Sequence, residues 1–146
     1  ARGTAPDLDS NPALRLKTIQ SDTGLWTRFT AACKERYCTD ELKAFSAAED
    51  FLANPDKATF LAMTKSAKAV NLPDDQLVRL GRQEASAKEA LPFNRPVAIR
   101  LAEDVRDNLR NLLQDNILQD RTLLAKHGLD NTVLLAQRKK AALSTG

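Results

Sequence analysis

Apolar residues recur at steps of three and four along most of this sequence, which is the spacing of one face of an α-helix. The clearest stripe follows Arg95-Pro96 and consists of Ala98, Leu101, Val105, Leu109 and Leu112. The composition agrees, because the 146 residues include 22 Leu and 22 Ala but only 5 Val and 3 Ile. Leu and Ala favour helices, whereas β-branched residues favour strands. We therefore predict an all-α fold, a compact bundle of about seven to nine short helices.

Capping residues and prolines indicate where these helices begin. The predicted starts are Asn11-Pro12, Ser21-Asp22, Thr39, Asn54-Pro55, Asp74 or Asp75, Arg95-Pro96, a point near Leu118, and Asn131. The second helix is predicted over about residues 23–37, and Gly81 weakens the pattern from there to residue 90. Residues 1–10 are polar and predict a flexible N-terminal arm, which leaves residues 11–146 as a single helical domain.

The charge pattern and the cysteines argue against several classes of protein. A net charge of +3 with interspersed signs does not indicate a nucleic-acid binder. The one basic run, Arg138 to Lys140, falls near the end of the last predicted helix, where cations suit the helix dipole. No apolar run is long enough to predict a membrane span. Cys33 and Cys38 are five residues apart, poorly placed for a disulfide on one helix. We expect a cytoplasmic protein; recruitment to a membrane face and secretion as an effector stay open.

The sequence supplies little for catalysis of its own. His127 is the only histidine, and Gly128 after it predicts the end of a helix, where a histidine suits the dipole. One His and two Cys cannot build a tetrahedral zinc site from soft ligands. Phosphate-binding glycine loops and nucleophile elbows are absent from the sequence. The acidic pairs Asp74–Asp75 and Glu103–Asp104 predict helix charges. We therefore expect no metal, no cofactor and no small-molecule substrate, and not an enzyme.

One stretch carries a family signature. Its matching residues are Tyr37, Asp40, Leu42, Phe45, Ala47, Glu49, Asp50 and Phe51. With Gly24 and Phe29 upstream, and with segments 70–73 and 109–116 downstream, this stretch resembles the regulator of G-protein signalling (RGS) domain. The resemblance covers about residues 12–126, and residues 24–51 match best.

The resemblance implies both a fold and a function. An RGS domain has a four-helix bundle from its middle section and a second small bundle made by its ends. It binds a heterotrimeric G-protein α subunit at the switch regions and accelerates GTP hydrolysis without adding a catalytic side chain. Carried over by position, the partner-binding residues are Tyr37, Glu41, Asn71, Leu72, Leu112 and Asn116. We expect Glu41, Asn71 and Asn116 to converge on one surface.

The sequence departs from the family pattern at four positions. Glu41 replaces an asparagine, Ala44 an aromatic residue, Asn116 an aspartate, and Asp120 a basic residue. An ionised carboxylate only accepts hydrogen bonds, so Glu41 is a poorer partner than asparagine. The departures predict weak or absent GTPase activation.

Three alternatives to a GTPase activator stay open. The first is a helical protein-interaction module without activation. The second is a pathogen effector domain acting on a host protein, because Trp26, the turn 39–42 and the helix start 54–56 loosely resemble the helical repeats of oomycete effectors. The third is a carboxylate enzyme using Asp74 or Glu103.

Overall fold

A computed structural model describes residues 12–89 and 93–145 of the chain. The elements in these ranges are α1 (Pro12–Gln20), α2 (Thr23–Glu35), α3 (Thr39–Ala53), α4 (Lys57–Ala67), α5 (Asp74–Lys88), α6 (Arg95–Leu113), a π-helical turn (Gln114–Leu118), α7 (Arg121–Lys126) and α8 (Asn131–Thr145). No strand occurs there, which confirms the all-α prediction and the predicted number of helices. The predicted arm 1–10 and the Asn11 cap lie outside the described residues. No helix in the described ranges is both long and apolar enough to cross a membrane.

The chain divides into two compact units. The middle unit, Thr39–Leu112, is one continuous segment that contains α3, α4, α5 and nearly all of α6. The terminal unit combines the segment up to Cys38 with the segment from Leu113 onward, and so contains α1, α2, the π turn, α7 and α8. The single-domain prediction for residues 11–146 stays a prediction.

Phenylalanine rings form the centre of the middle unit, where α3 packs against α4 and α4 against α5. Phe45, Phe51 and Phe60 are fully buried, as the helical stripes predict. The rings of Phe51 and Phe60 meet edge to face with centroids 5.4 Å apart, and Phe93 lies 5.5 Å from Phe60. Truncating one of these buried rings to alanine is expected to cost about 3–5 kcal/mol.

The terminal unit is built around α1, which packs against α2, α8 and the π turn. Its fully buried side chains include Ile19, Phe29, Ile117 and Leu134. Trp26, which the sequence groups with the core aromatics, is only half-buried; its ring lies 5.7 Å from that of Phe29. The core of this unit therefore joins residues from both ends of the chain.

Aspartates cap several helices, and two starts differ from the prediction. The sequence pattern indicates a helix from near Leu118, but α7 begins at Arg121 with Asp120 as its cap. Asp22 accepts a hydrogen bond from the Leu25 N–H at 2.9 Å, as predicted for α2. For α4, however, Asp56 and not Asn54 is the cap, and it forms a capping box with Thr59. Asn54 still belongs to the end of α3, because its N–H donates to the Asp50 carbonyl at 3.0 Å. The Asn54-Pro55 pair therefore indicates a start of α4 that is two residues too early.

Candidate protein-interaction site

Tyr37 lies just beyond α2, which ends at Glu35 and not at residue 37 as the sequence pattern predicts. The Tyr37 N–H donates to the Lys34 carbonyl at 3.2 Å, and the Cys38 N–H donates to the Cys33 carbonyl at 2.8 Å. These two bonds form the Schellman motif that commonly closes a helix. The motif requires a left-handed residue, and Tyr37 supplies it with φ of 57°. This conformation stops α2 earlier than the apolar spacing indicates.

Tyr37 is 92% exposed, the largest exposure among the large hydrophobic residues in the described ranges. A left-handed backbone is costly for a residue with a Cβ, and such strain concentrates at functional sites. The two cysteines that flank the turn are buried and do not form a disulfide. The turn thus presents an aromatic ring to solvent from a buried, hydrogen-bonded base.

Asp120 connects the residue before Tyr37 to the start of α7. Arg36 forms an ion pair with Asp120. Asp120 also caps α7 by accepting a hydrogen bond from the Leu123 N–H at 3.0 Å. The acidic residue at a position where RGS domains carry a basic one therefore has a structural role here.

Glu35, the last residue of α2, holds the end of α7. Its Oε1 accepts from Lys126 Nζ at 2.8 Å and lies 3.2 Å from His127 Nε2. The hydrogen bond from Lys126 lowers the pKa of the Glu35 carboxyl below its usual value of 4.5. His127 closes α7, and Gly128 follows with φ of 68°, which confirms the predicted helix end.

Glu41 lies in the first turn of α3, in the middle unit, and is half-buried. Its Oε2 atom is buried and accepts no hydrogen bond from the described residues. Ala44, one turn further along, is fully buried. The small residue at this position is therefore part of the core and not of the surface.

Asn71 lies in the connection between α4 and α5. Its neighbours Val70 and Leu72 are both buried, and the Val70 N–H donates to the Ala67 carbonyl at 3.1 Å. Asn71 itself is exposed. Two apolar anchors therefore fix the backbone and present the amide between them to solvent. Leu72 is only 3% exposed, so it supports this segment from the core.

Leu112 and Asn116 lie where α6 passes into the π turn. Leu112 is half-buried in the last turn of α6, and Asn116 is exposed within the turn. The next two residues, Ile117 and Leu118, are fully buried. A π turn shifts the register of the residues that follow it, and such turns are frequent at functional sites. Sequence periodicity gives no signal for this turn.

The six predicted site residues are divided between the two units. Glu41, Asn71, Leu72 and Leu112 belong to the middle unit, whereas Tyr37 and Asn116 belong to the terminal unit. Within these units, Tyr37, Asn71 and Asn116 are exposed. The convergence of Glu41, Asn71 and Asn116 on one surface stays a prediction.

The acidic pairs that the sequence offers for catalysis lie on helices. Asp74 and Asp75 are exposed in the first turn of α5, and Glu103 is exposed on α6. Asp104 forms an ion pair with Arg79 at 3.1 Å. Over the described residues, no group of three or more His, Cys, Asp or Glu side chains could hold a metal ion.

The chain was compared with protein-family models, with curated proteins and with solved structures, and none of the three comparisons finds a match.

Proposed function

We propose that this chain is an RGS-like domain that binds the α subunit of a heterotrimeric G protein at its switch regions. The observation that supports this most is the division of the chain. Helices α3 to α6 follow one another in the middle unit, and the two ends of the chain join in the terminal unit. The resemblance implies the same division for an RGS domain. Because G-protein α subunits act at the cytoplasmic side of membranes, the proposal includes a cytoplasmic location.

Exposed residues with suitable chemistry add support. Tyrosine is enriched at the energetic centres of protein interfaces, and Tyr37 is held in a fixed turn. The Asn71 amide both donates and accepts hydrogen bonds, so it suits a backbone segment of a partner. Its anchoring by Val70 and Leu72 reduces the entropy that binding would cost.

The mechanism would be stabilisation of the partner's active site. A G-protein α subunit supplies its own arginine and the glutamine that orients the attacking water. The Asn71 side chain would hydrogen-bond the switch region and hold that glutamine in place. Tighter binding to the transition-state arrangement than to the GTP-bound ground state lowers the barrier to hydrolysis.

Binding to a G-protein α subunit in three nucleotide states tests the proposal. We expect the transition-state mimic to bind more tightly than the GDP and GTP forms. Asn71→Ala is expected to weaken binding about tenfold, the loss typical of one or two hydrogen bonds. Lys57→Ala is the control, because Lys57 is exposed at the opposite end of α4. Absence of binding to the transition-state mimic of every α subunit class would exclude the proposal.

A helical interaction module without GTPase activation is the second candidate. Glu41 favours it, because a carboxylate with a buried oxygen replaces the amide of the family. The two candidates differ in one result. The module would bind a protein partner and leave GTP hydrolysis by G-protein α subunits unchanged.

A further inference from the structure

Cys33 and Cys38 lie at the two ends of the turn that closes α2. A spacing of five on one continuous helix would hold their side chains apart, but α2 ends at Glu35, so Cys38 lies beyond the helix. The chain turns back at Tyr37, where φ is 57°, and the Cys38 N–H donates to the Cys33 carbonyl at 2.8 Å. The turn therefore brings together two cysteines that a longer helix would separate.

The hydrogen bond between these two backbones limits the distance between their Cα atoms. With ordinary backbone bond lengths and angles, an N–H···O contact of this length allows at most about 6.5 Å between the Cα atoms. Disulfides typically span about 4.4–6.8 Å between Cα atoms. In this helix-closing motif, the residues at the positions of Cys33 and Cys38 also frequently place their side chains in contact. The backbone geometry of the turn thus suits a disulfide.

The two thiols differ in their access to solvent. Cys33 is fully buried, whereas Cys38 is 7% exposed, and neither is in a disulfide in this structure. The Cys38 thiol donates to the Arg36 carbonyl, with 3.5 Å between sulfur and oxygen. A thiol is a weak donor, so a covalent bond between the sulfurs replaces such a contact at little cost. The sequence has two cysteines, so within one chain each can bond only to the other.

We propose that Cys33 and Cys38 form a reversible disulfide across the turn, with a small-molecule disulfide such as oxidised glutathione as the oxidant. The more exposed Cys38 attacks first as the thiolate, so the glutathione S–S bond breaks and one glutathione leaves as a thiol. The Cys33 thiolate then attacks the Cys38 sulfur and releases the second glutathione. The two protein sulfurs are oxidised, the two glutathione sulfurs are reduced, and both thiol protons pass to glutathione.

The disulfide would fix the turn from which the Tyr37 ring extends. It ties the last turn of α2 to the residue that follows the left-handed position. A disulfide across a native turn restricts the unfolded chain and so stabilises the folded one. The chain would carry the bond in an oxidising compartment and two thiols in a reducing one. The proposal is independent of the G-protein function.

Peptide mapping of the full chain tests whether the bond forms. The chain is equilibrated with mixtures of reduced and oxidised glutathione, the remaining thiols are alkylated, and trypsin is added without reductant. Because Lys34 and Arg36 lie between the cysteines, trypsin separates them into the peptides 29–34 and 37–43. We expect these two peptides to stay joined, to come from a protein with the mass of one chain, and to separate when a reductant is added.

The equilibrium constant for bond formation tests whether the folded turn holds the thiols together. Folding and the disulfide stabilise each other by the same factor, so the constant should be at least about tenfold larger for the folded chain than for the chain in urea. The Tm of the oxidised chain should exceed that of the reduced chain by about 5 °C.

Cys33→Ala is the control, because it removes the residue that releases the second glutathione. In this variant the reaction should stop at a mixed disulfide between Cys38 and glutathione, with no joined peptides. Three results would overturn the proposal for the unchanged chain: joined peptides that come only from a covalent dimer, a mixed disulfide that persists at Cys38, or equal equilibrium constants for the folded and unfolded chain.

Discussion

Tyr37 occupies a backbone position that glycine usually holds. The same helix-closing motif occurs at the end of α7, where the Leu129 N–H donates to the Leu124 carbonyl at 2.7 Å. There the left-handed residue is Gly128, which has no Cβ to strain. At Tyr37 the exposed ring recovers little burial energy in return for its conformation. A binding role would explain why a tyrosine stands there.

Tyr37→Gly separates stability from binding. We expect the free energy of unfolding to rise by up to about 1 kcal/mol, because the left-handed strain disappears. Binding to a G-protein α subunit should weaken at the same time, because the ring is lost. Urea unfolding and a binding titration measure the two effects.

Gly128→Ala is the control, because it makes the opposite change at the matching left-handed position after α7. Its φ is 68° and an added Cβ would lie 3.2 Å from Arg28 Nη1, so we expect a loss of about 1–2 kcal/mol in stability. If Tyr37→Gly leaves partner binding unchanged, Tyr37 does not belong to the interface.

Glu41→Asn tests the departure at the start of α3. The substitution introduces the amide that RGS domains carry at this position. It also removes a carboxylate oxygen that is buried without a hydrogen bond from the described residues. We expect faster GTP hydrolysis by the bound G-protein α subunit, by up to about tenfold if one or two hydrogen bonds to the switch region form. Single-turnover hydrolysis measures this.

Asp40→Asn is the comparison variant, because Asp40 is exposed in the same turn. Equal rates for Glu41→Asn and the unchanged chain, with binding retained, would show that Glu41 does not limit activation.

At the scale of single helices, α5 carries a glycine that costs stability. Gly81 lies in the interior of α5, and an added Cβ would meet nothing within 4 Å. Gly81→Ala is expected to raise the free energy of unfolding by about 1 kcal/mol, the difference in helix propensity. Urea or thermal unfolding measures the gain.

Gly24→Ala serves as the contrast within α2. Its added Cβ would lie 3.1 Å from Asp22 Oδ2, the oxygen that caps the helix, so little or no gain is expected. A gain at Gly24 equal to that at Gly81 would contradict the cap assignment.

Two ion pairs, Lys126–Glu35 and Lys68–Glu84, are expected to make the stability of the fold depend on acid. Hydrogen bonds from Lys126 to Glu35 and from Lys68 to Glu84 lower the pKa of each glutamate below 4.5. A group whose pKa is lower in the folded chain stabilises it above the unfolded pKa and loses that contribution as the pH falls through the folded pKa. The stability should therefore fall as the pH drops below about 4.5. Both glutamates lie near the surface, so each contribution is small and weakens with salt.

Chemical unfolding at a series of pH values from about 6 to 3 measures this loss. The double variant Glu35→Gln/Glu84→Gln should show a flatter dependence, whereas Glu103→Gln, at an exposed position on α6, should follow the unchanged chain. An identical pH dependence of all three chains would show that these two ion pairs do not contribute to the loss of stability in acid.

Helix starts were largely predictable because each depends on a local hydrogen bond or a proline. Asp22, through its hydrogen bond to the Leu25 N–H, and Pro96, in the first turn of α6, show this directly. The end of α2 was not predictable, because it depends on a tyrosine in a conformation that sequence rules assign to glycine. The start of α4 lies two residues later than Asn54 indicates, because Asp56 can also cap a helix and forms the capping box. The π turn has no sequence signal.

At the scale of the whole molecule, the sequence predicts the helices well. It predicts less well which side chains are exposed and so accessible to a partner. Asn71 and Tyr37 are exposed, whereas Leu72 is in the core. A family pattern indicates position along the chain, but the exposure of adjacent residues depends on which of them anchors the backbone. The division into a middle unit and a terminal unit follows from the pairing of the two chain ends, which no local pattern encodes.

Single-turnover GTP hydrolysis tests the central claim most directly. G-protein α subunits from several classes are loaded with GTP, and the hydrolysis rate is followed as the concentration of this chain increases. Because Glu41 replaces the family's asparagine, the account predicts a weak acceleration of GTP hydrolysis by at least one α subunit. It predicts that this effect saturates, and that Asn71→Ala reduces it while Lys57→Ala does not. A hydrolysis rate that stays unchanged for every α subunit, at concentrations that saturate any binding, would contradict it.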